Sequence, residues 1–410
     1  MSTRPRVVVT GMGIVSAVGW TLAETWEAIE QGRSGLRTLS LFESQRCGRL
    51  PVGEVPGDPS ARSGLAGGSR SDHLAVWAAK QAFRDAGLGT GDFLADRGAV
   101  VLGALTGGML FTEEFLSRLH RENRIDPSRP ADFANLADRA CCNAADRVAE
   151  DCGLAGFRTT VSNACASGGS ALGLGCDLIE AGEADVVLAG GVDSLNRVVL
   201  NGFNSLMLVS PDGCRPFDAE RKGMSVGEGA GVLVLESEAR ATARGASVRA
   251  WLAGRGNTCD AHHVSAPQPE GRGLGRAMHR ALDDAGLAPG KVDYINAHGT
   301  GTADNDPAEA KAIRAVFGDA PPAVSSTKRF FGHTLAAAGA IEAIVTVLAL
   351  ERQAIPPNLG LRTVDPRIPL VPVAEYRPAK LDVAMSTSLG FGGNNSAVLF
   401  RRPGTWEETP

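Results

Sequence analysis

The segment Val161 to Gly169, VSNACASGG, places a cysteine between a β-prone stretch and a run of small residues. The residues before Cys165 predict a short strand, and Ser170 to Glu180 predicts a helix. A thiol near a helix N-terminus meets free backbone N–H groups, which lower its pKa and make it a better nucleophile. A free cysteine is also a small apolar residue suited to burial. Both interpretations of Cys165 stay open on this segment alone.

Two further segments carry side chains that can move protons. His298 follows the predicted strand Val292–Ala297, at the strand end where open α/β sheets bind ligands, and many polar residues come after it. The segment SSTKRFFGH brings Lys328 and His333 to a turn before an apolar helix. A lone histidine is often structural, but a thiol with two histidines and a lysine can handle protons and negative charge.

A glycine-rich segment, SLGFGGNNS at residues 388–396, precedes the last predicted strand. Glycines allow backbone N–H groups to approach a ligand closely, as an oxyanion-binding site requires. The other interpretation is a tight connection between two antiparallel strands. The sequence is compatible with both.

The chain contains two internal echoes. AFRDAGL at residues 82–88 returns as ALDDAGL at 281–287, an offset of 199 (281 − 82). VSNACASGGSALGLGCDLIEA returns as VSSTKRFFGHTLAAAGAIEA, an offset of 163 (324 − 161), and both copies begin with Val-Ser, enter a predicted helix and end in Ile-Glu-Ala. The difference of 36 residues (199 − 163) predicts an insertion between Thr106 and Arg158. A pseudo-two-fold relating the copies would bring Cys165 close to His333.

Apolar, β-branched segments between turn residues predict ten strands. Near-continuous apolar strands separated by helices indicate an α/β fold with sheets covered on both faces. The copies divide near residue 246, which gives halves 1–246 and 247–410. The strands of the first half are Arg6–Thr10, Ala99–Ala104, Arg158–Ser162, Asp185–Ala189 and Val232–Glu236; those of the second are Val248–Ala253, Val292–Ala297, Ala323–Ser326, Val383–Thr387 and Ser396–Phe400; helices include Leu22–Gln31, His73–Ala86 and Arg272–Ala285.

Charge and composition exclude several classes of partner. The 41 basic and 46 acidic residues give a net charge of −5 with no basic block, so no nucleic-acid partner is expected. The most apolar predicted helix, Leu335–Leu350, contains Glu342 and is too short to span a bilayer. We therefore expect no membrane association.

Cysteine and histidine spacing bears on redox compartment and metals. The eight cysteines include no C-x-x-C pair, which is typical of proteins from a reducing compartment, and we expect a cytoplasmic protein. His262 and His263 are adjacent and lack further ligands at suitable spacing, so no metal is expected.

Together these segments resemble the elongating β-ketoacyl-acyl-carrier-protein synthases of the thiolase superfamily. The resemblance runs nearly end to end and implies a thiolase-like fold, with two duplicated α/β halves in α-β-α-β-α layers. Its motifs stand in family order: VVVTGMGIVSAVG, NACASG, AGGVDS, RPFDAERKGMSVGEGAG, NAHGTGTADND, SSTKRFFGHTLAAAGAIE and GFGGNNS.

The resemblance implies a decarboxylative condensation. Cys165 would accept the acyl group of an acyl-carrier protein, and His298 and His333 would assist decarboxylation of malonyl-carrier protein and stabilise the enolate. The enolate would then attack the acyl-Cys165 thioester and give a 3-oxoacyl product two carbons longer. Backbone N–H groups of Cys165 and Phe391 would form the oxyanion hole, and Phe391 would gate the site. No cofactor is implied, because the thioester supplies the activation.

The remaining site residues are implied in the same way. Lys328 and Glu309 resemble the family's supporting charged pair. Threonines of the NAHGTGT motif would contact pantetheine, and an aromatic residue and a threonine would line the acyl pocket. The implied substrate-binding residues are Thr300, Thr302, Thr106, Phe203, Gly392 and Asn394.

The resemblance also implies partners and leaves alternatives. The partner would be acyl-carrier protein, and a homodimer or a heterodimer would form through the strand Ala184–Gly191. A CoA-dependent thiolase would carry a second cysteine near the GFGG loop, and we expect none there. A non-catalytic partner subunit, such as a chain-length factor, would lack the nucleophile, whereas this chain keeps Cys165.

Five features depart from the family's common pattern: the residues Asn163, Leu389, Asn394 and Thr106, and the segment RKGMSVGEG. They leave the condensing chemistry intact. They bear on the substrate, which is a fatty acyl chain or a polyketide, polyene or secondary lipid precursor.

Overall fold

The computed structural model describes residues 4–89, 91–122 and 138–405. Ten strands form its central sheet and are numbered here along the chain. They are β1 Val7–Val15, β2 Gly98–Gly103, β3 Arg158–Val161, β4 Val186–Asp193, β5 Gly229–Ser237, β6 Ala250–Cys259, β7 Tyr294–Asn296, β8 Ala323–Ser325, β9 Val383–Gly390 and β10 Asn394–Arg401. Two-residue strands pair Arg37–Thr38 with Pro51–Val52 and Ala354–Ile355 with Arg377–Pro378.

Helices cover and separate the strands of this sheet. Within the described ranges they are α1 Leu22–Glu30, α2 Ser60–Ser63, α3 Arg70–Asp85, α4 Met109–Glu122, α5 Asn143–Cys152, α6 Ser167–Glu180, α7 Arg197–Ser205, α8 Glu238–Ala243, α9 Arg272–Ala285, α10 Asn305–Phe317, α11 Lys328–Phe331 and α12 Ala338–Arg352. No helix in the described part of the chain is long and apolar enough to cross a membrane. All ten predicted strands and the five predicted helices are present, with ends that differ by up to six residues.

The first strand is longer than predicted. The glycines after Thr10 suggested a turn, but β1 continues through them to Val15. They are required by packing: a Cβ on Gly11 would lie 2.2 Å from Ala82 O, and one on Gly13 would lie 1.9 Å from Ala78 O. Both oxygens belong to α3, so glycine permits the close approach of helix and strand.

The strand order confirms the duplication. Across the sheet the order is β8-β7-β9-β10-β6-β1-β5-β4-β2-β3. Outward from the centre, β1-β5-β4-β2-β3 of the first half matches β6-β10-β9-β7-β8 of the second. Helices α6 and α12 share one apolar core with strands of both halves, while α3 and α5 pack outside the first half and α9 and α10 outside the second. These are the expected α-β-α-β-α layers. The boundary at residue 246 stays a prediction.

The two halves meet where α6 contacts α12. A Cβ on Gly168 would lie 2.8 Å from Ala340 N, and one on Gly339 would lie 2.7 Å from Gly169 N. A left-handed residue precedes each helix, Ala164 in one half and Leu335 in the other, both with a φ of 57°. The central helices therefore approach with no side chain between their backbones, and the turns before them correspond.

The structure adds one detail to the repeat. Ile179 and Glu180 end α6, whereas Ile341 to Ala343 lie near the start of α12. The two helices therefore correspond from their preceding turns, and the Ile-Glu-Ala triplets lie at different places in them. The insertion does lie between Thr106 and Arg158. The first half has the two helices α4 and α5 at this point, whereas the second half has only α10 at the equivalent point. Residues 123–137 of it lie outside the described residues.

The expected dimer strand is also wrong. The predicted segment Ala184–Gly191 overlaps β4, and β4 is already paired on both sides, with β2 and β5. An interior strand has no free backbone groups to pair across a two-fold axis. The edge strand of this half is β3, Arg158–Val161, which is partly exposed.

We expect the Gly168→Ala protein to be less stable than the parent by about 1–3 kcal/mol, because the methyl group would lie 2.7 Å from Ala336 O. The control is Gly202→Ala in α7, where a Cβ meets nothing within 4 Å. That control should match the parent or gain about 0.5–1 kcal/mol from alanine's higher helix propensity. Urea unfolding measures both, and equal stability of the Gly168→Ala protein and the parent would contradict the backbone contact.

Candidate active site

Cys165 lies in a strained turn between β3 and α6. Ala164 has a φ of 57°, in the left-handed region that alanine rarely adopts. Ser167 Oγ stabilises the turn, because it accepts from Asn163 N–H at 3.0 Å and donates to Ala164 C=O at 2.5 Å. Ser167 also begins α6, so Cys165 precedes the helix by two residues.

Burial controls the ionisation of Cys165, which is 6% exposed. It raises the pKa of the thiol to about 12, while Lys328 and the Phe391 N–H act in the opposite direction. The expectation that the helix N-terminus lowers this pKa is wrong, because desolvation of the thiolate outweighs the favourable dipole. Cys165 is therefore a thiol at neutral pH and loses its proton only as it reacts.

The glycine-rich loop contacts the cysteine turn directly. A Cβ on Gly390 would lie 3.0 Å from Cys165 N, so the approach requires glycine. The next residue, Phe391, donates its N–H to Cys165 Sγ. The loop also connects the antiparallel strands β9 and β10, with Gly390 opposite Asn394. The tight connection between strands is confirmed, and the same loop directs an amide at the thiol, while the oxyanion-binding role stays a prediction.

Glu309 holds the backbone on which His298 is mounted. Its carboxylate accepts from His298 N at 2.8 Å and from Gly299 N at 2.7 Å. Thr387 Oγ1 donates to the same carboxylate at 2.8 Å. Glu309 is fully buried, and these donors offset the cost of its desolvation. It therefore fixes the turn after β7 and places the His298 ring over the site.

Lys328 pairs with Glu342, which corrects the expected Lys328–Glu309 pair. Lys328 Nζ donates to Glu342 Oε1, and it lies 3.1 Å from His298 Nδ1. Burial raises the pKa of Glu342 to about 7, against the lowering effect of Lys328. The sequence did contain a signal for Glu342: a single carboxylate in the most apolar helix is costly to bury without a cationic partner. The sequence analysis noted that carboxylate without assigning it a partner.

His333 faces His298 across the site. The two ring centroids are 5.0 Å apart, with the rings edge to face. Leu335 N–H donates to His333 Nδ1 at 3.2 Å. His333 N donates to Ser225 O at 2.6 Å, so its backbone is anchored to the segment before β5.

Both histidines are neutral with the same tautomer. Burial lowers the pKa of His298 and of His333 well below the usual value, and the Lys328 charge adds to both effects. An ammonium can only donate, so His298 Nδ1 accepts from Lys328, as His333 Nδ1 accepts from Leu335 N–H. A neutral imidazole that accepts at Nδ1 carries its proton on Nε2. The site therefore offers two Nε2–H donors.

One pocket collects the reactive groups. It encloses about 540 Å³ of atom-free space, including its open mouth. The Phe203 and Phe391 rings lie at its wall with centroids 5.6 Å apart. The hydroxyls of Thr300 and Thr302 are 2.9 Å apart. The predicted site residues that line this pocket are Cys165, Phe203, His298, Thr300, Thr302, His333 and Phe391.

The other predicted site residues lie behind this lining. Lys328 and Glu309 contact His298, as described above. Asn394 Nδ2 donates to Phe391 C=O at 2.9 Å, and Gly392 N donates to Val264 O at 2.9 Å, so both support the loop that carries Phe391. Thr106 does not reach the lining, because its hydroxyl donates to Asp193 at 2.9 Å.

The sequence has no second cysteine near the GFGG loop, but the fold brings one close to that loop. Cys259, at the end of β6, places its Sγ 3.5 Å from Gly392 O. The two residues are 133 positions apart in the chain, and only the pairing of β6 with β10 brings them together. Cys259 is exposed and is not among the residues that line the pocket. It therefore does not supply a second thiol to the reaction centre.

Comparisons with known proteins agree with this geometry. Residues 4–241 match the beta-ketoacyl synthase N-terminal domain, and residues 249–362 match the C-terminal domain. The chain is 36% identical to 3-oxoacyl-[acyl-carrier-protein] synthase 2 of Staphylococcus aureus (strain N315), covering 98% of this chain and 99% of that protein. It is 38% identical to nodulation protein E of Rhizobium meliloti (strain 1021), covering 97% and 99%.

Solved structures resemble the chain over a similar length. The ishigamide ketosynthase/chain length factor aligns with a TM-score of 0.93 at 36% identity, covering 98% of this chain and 100% of that one. The ketosynthase complex AntDE:AntF aligns with a TM-score of 0.89 at 31% identity, covering 98% and 100%. The chain therefore belongs to the β-ketoacyl synthase family of condensing enzymes, with the thiolase-like fold that the resemblance implied.

The depressed histidine pKa values predict a pH effect on stability. An unfolded histidine takes up a proton below about pH 6.5, whereas folded His333 stays neutral to a much lower pH. The stability that His333 contributes is present above that pH and is lost as the pH falls, by up to about 1.4 kcal/mol per pH unit. We expect His333→Gln to reduce the fall in unfolding free energy between pH 6.5 and 5.

Urea unfolding at a series of pH values measures this slope. Thr300→Val is the matched control, because it changes a buried pocket residue without removing a titratable group. It should change stability without changing the slope. An identical slope in the parent and the His333→Gln protein would contradict a neutral, buried His333.

Proposed function

We propose that this protein is a 3-oxoacyl-acyl-carrier-protein synthase in which Cys165, His298 and His333 perform the reaction. The observation that carries the proposal is that these three side chains line one pocket, with the Phe391 N–H directed at the sulfur. The relatives named above as acyl-carrier-protein synthases support the choice of substrate.

In the first step Cys165 Sγ attacks the carbonyl carbon of an acyl thioester. The tetrahedral oxyanion accepts hydrogen bonds from the N–H groups of Cys165 and Phe391, since Gly390 has no side chain to cover the Cys165 amide. The bond to the carrier's thiol breaks and the acyl group stays on Sγ. The proton lost by Cys165 leaves with the released carrier thiol, so the step is balanced.

In the second step malonyl-carrier protein loses carbon dioxide. The bond to the carboxylate carbon breaks, and its electron pair forms an enolate. The enolate oxygen accepts hydrogen bonds from the Nε2–H groups of His298 and His333, whose Nδ1 atoms are held by Lys328 and Leu335 N–H. Two neutral donors in a buried site stabilise this charge without titrating at neutral pH.

In the third step the enolate carbon attacks the acyl-Cys165 carbonyl. A carbon–carbon bond forms, the oxyanion uses the same two amides, and the Cys165 thiolate leaves. The product is a 3-oxoacyl thioester on the carrier, two carbons longer, and the Cys165 thiolate takes up one proton from water to restore the thiol. Asn163 and Phe203, beside the cysteine turn and at the pocket wall, are positions where chain preference can be set.

We propose that the partners are acyl-carrier proteins and a second synthase-like subunit. One structural relative is an acyl-carrier protein in complex with its ketosynthase, and others are ketosynthase/chain length factor pairs. A homodimer and a heterodimer both remain open for this chain, and the partly exposed edge strand β3 is where a second subunit would pair. All eight cysteines are free, as in proteins of a reducing compartment, which supports a cytoplasmic location.

Separate assays of the half-reactions test the assigned roles. We expect Cys165→Ala to abolish the acyl-enzyme adduct seen by intact-protein mass spectrometry, because no other thiol lines the pocket among the described residues. We expect His298→Ala and His333→Ala to lower malonyl decarboxylation by about 100-fold or more each, since the enolate loses a donor. Both histidine variants should still form acyl-Cys165.

Cys259→Ala is the matched control for Cys165→Ala, because it removes a free thiol that lies close to the GFGG loop but outside the pocket. It should acylate and condense like the parent. An adduct that survives in Cys165→Ala, or undiminished decarboxylation in His298→Ala, would refute the corresponding role.

A further inference from the structure

Asp193, in the AGGVDS segment, is a buried carboxylate that the steps above do not use. It ends β4 and is 0% exposed. Its Oδ1 accepts from Leu105 N at 3.2 Å and from both Thr106 N and Thr106 Oγ1 at 2.9 Å. Its Oδ2 accepts from Ala336 N at 2.9 Å. One carboxylate thus joins the loop after β2 to the turn before α12.

The duplication identifies what stands at this position in the other half. Asp193 ends β4 and Gly390 ends the corresponding strand β9. Gly390 faces Cys165 N, and Asp193 binds Ala336 N. Both of these amides belong to a residue that directly follows a left-handed residue with a φ of 57°. One turn therefore presents its amide past a glycine to the reaction centre. In the equivalent turn, the Asp193 carboxylate occupies the position in front of the Ala336 amide.

The turn that Asp193 holds is the one that supports His333. Leu335 N–H donates to His333 Nδ1 at 3.2 Å, and the next amide, Ala336 N–H, donates to Asp193. Leu335 is left-handed, a conformation that a residue with a side chain rarely adopts and that persists only where its surroundings hold it. The Ala336–Asp193 hydrogen bond supplies such a restraint next to the strained residue.

We propose that Asp193 is a positioning residue for His333: its carboxylate holds the turn at Leu335 and Ala336 so that Leu335 N–H keeps the His333 proton on Nε2. The inference rests on the proposed function, in which the Nε2–H of His333 stabilises the enolate. Asp193 is not among the residues that line the pocket, and it acts on Cys165 only through its charge, which helps to raise the pKa of the thiol. Its removal therefore affects decarboxylation, which uses His333, and spares acylation, which uses the two backbone amides.

Asp193→Asn tests this with a near-isosteric change. The amide replaces one accepting oxygen with a donor, so it cannot satisfy the N–H groups on both sides. We expect malonyl decarboxylation to fall about tenfold to a hundredfold, as expected for a misplaced catalytic group. The rate of acyl-Cys165 formation, followed by intact-protein mass spectrometry, should stay within about twofold of the parent, because the Cys165 turn in the other half keeps its own hydrogen bonds.

Nitrogen NMR of ¹⁵N-histidine protein reads the tautomer directly, with the His333 signals assigned by their absence in His333→Gln. The parent should show a protonated Nε2 and an accepting Nδ1 at His333, and Asp193→Asn should lose that pattern. Asp193→Glu keeps a carboxylate and should decarboxylate faster than Asp193→Asn. Should the Asn protein fail to fold, Asp193→Ala removes the carboxylate without adding a donor and carries the same expectations.

Ser194→Ala is the matched control. Ser194 is the buried neighbour of Asp193, and its Oγ bonds Ser71 and not the His333 turn. Ser194→Ala should not change the rate of decarboxylation relative to the rate of acyl-Cys165 formation. Equal loss of acylation and decarboxylation in Asp193→Asn, unchanged decarboxylation, or a parent-like His333 signal would each overturn the inference. Failure of the parent protein to form acyl-Cys165 would instead refute the proposed function.

Discussion

The structure depends on one contact, the approach of α6 and α12 at Gly168 and Gly339 with no side chain between their backbones. Each helix begins after a strained left-handed residue, and each turn carries reactive groups of the site. Because the contact joins backbones, the separation of the two turns is set by hard-sphere packing and not by adaptable side chains. Cys165 and His333 are therefore held in one pocket from two halves of the chain, and the small residues that follow the cysteine serve this approach as well as the helix.

The site contains neutral N–H donors, and the charged side chains behind them are each paired with a partner. The Lys328 ammonium is matched by Glu342, and the Glu309 carboxylate by two backbone amides and a hydroxyl. Burial keeps the thiol protonated and the two histidines neutral, so the pocket presents N–H groups where negative charge develops. An uncompensated ion here would cost several kcal/mol. Lys328 fixes the direction in which the His298 imidazole donates, and the Leu335 N–H does the same for His333.

The duplicated halves use equivalent positions for different purposes. The turn at Ala164 opens its amide to the pocket past Gly390, whereas the turn at Leu335 has its amide bound by Asp193. A symmetric framework thus yields an asymmetric site, because in the proposed reaction one half supplies the nucleophile and the other supplies the donors for the enolate. The insertion between β2 and β3 adds a second difference, since α4 and α5 have only α10 as their counterpart. Because the two turns have the same backbone conformation, differences at a few residues are sufficient to give them different roles.

The sequence alone determined the elements, the duplication and the side chains that we propose to react, because strand and helix periodicity, repeats and motifs are local properties of a chain. Packing decided what local pattern could not. The glycines after Thr10 mark the approach of α3 and not a turn, and the partner of Lys328 is Glu342 and not Glu309. The thiol pKa is raised because burial is a property of the folded surroundings, and Cys259 reaches the GFGG loop only through strand pairing. Distances between residues far apart in the chain exist only once the two halves have closed on each other, and it is these distances that set ion pairs, tautomers and pKa values.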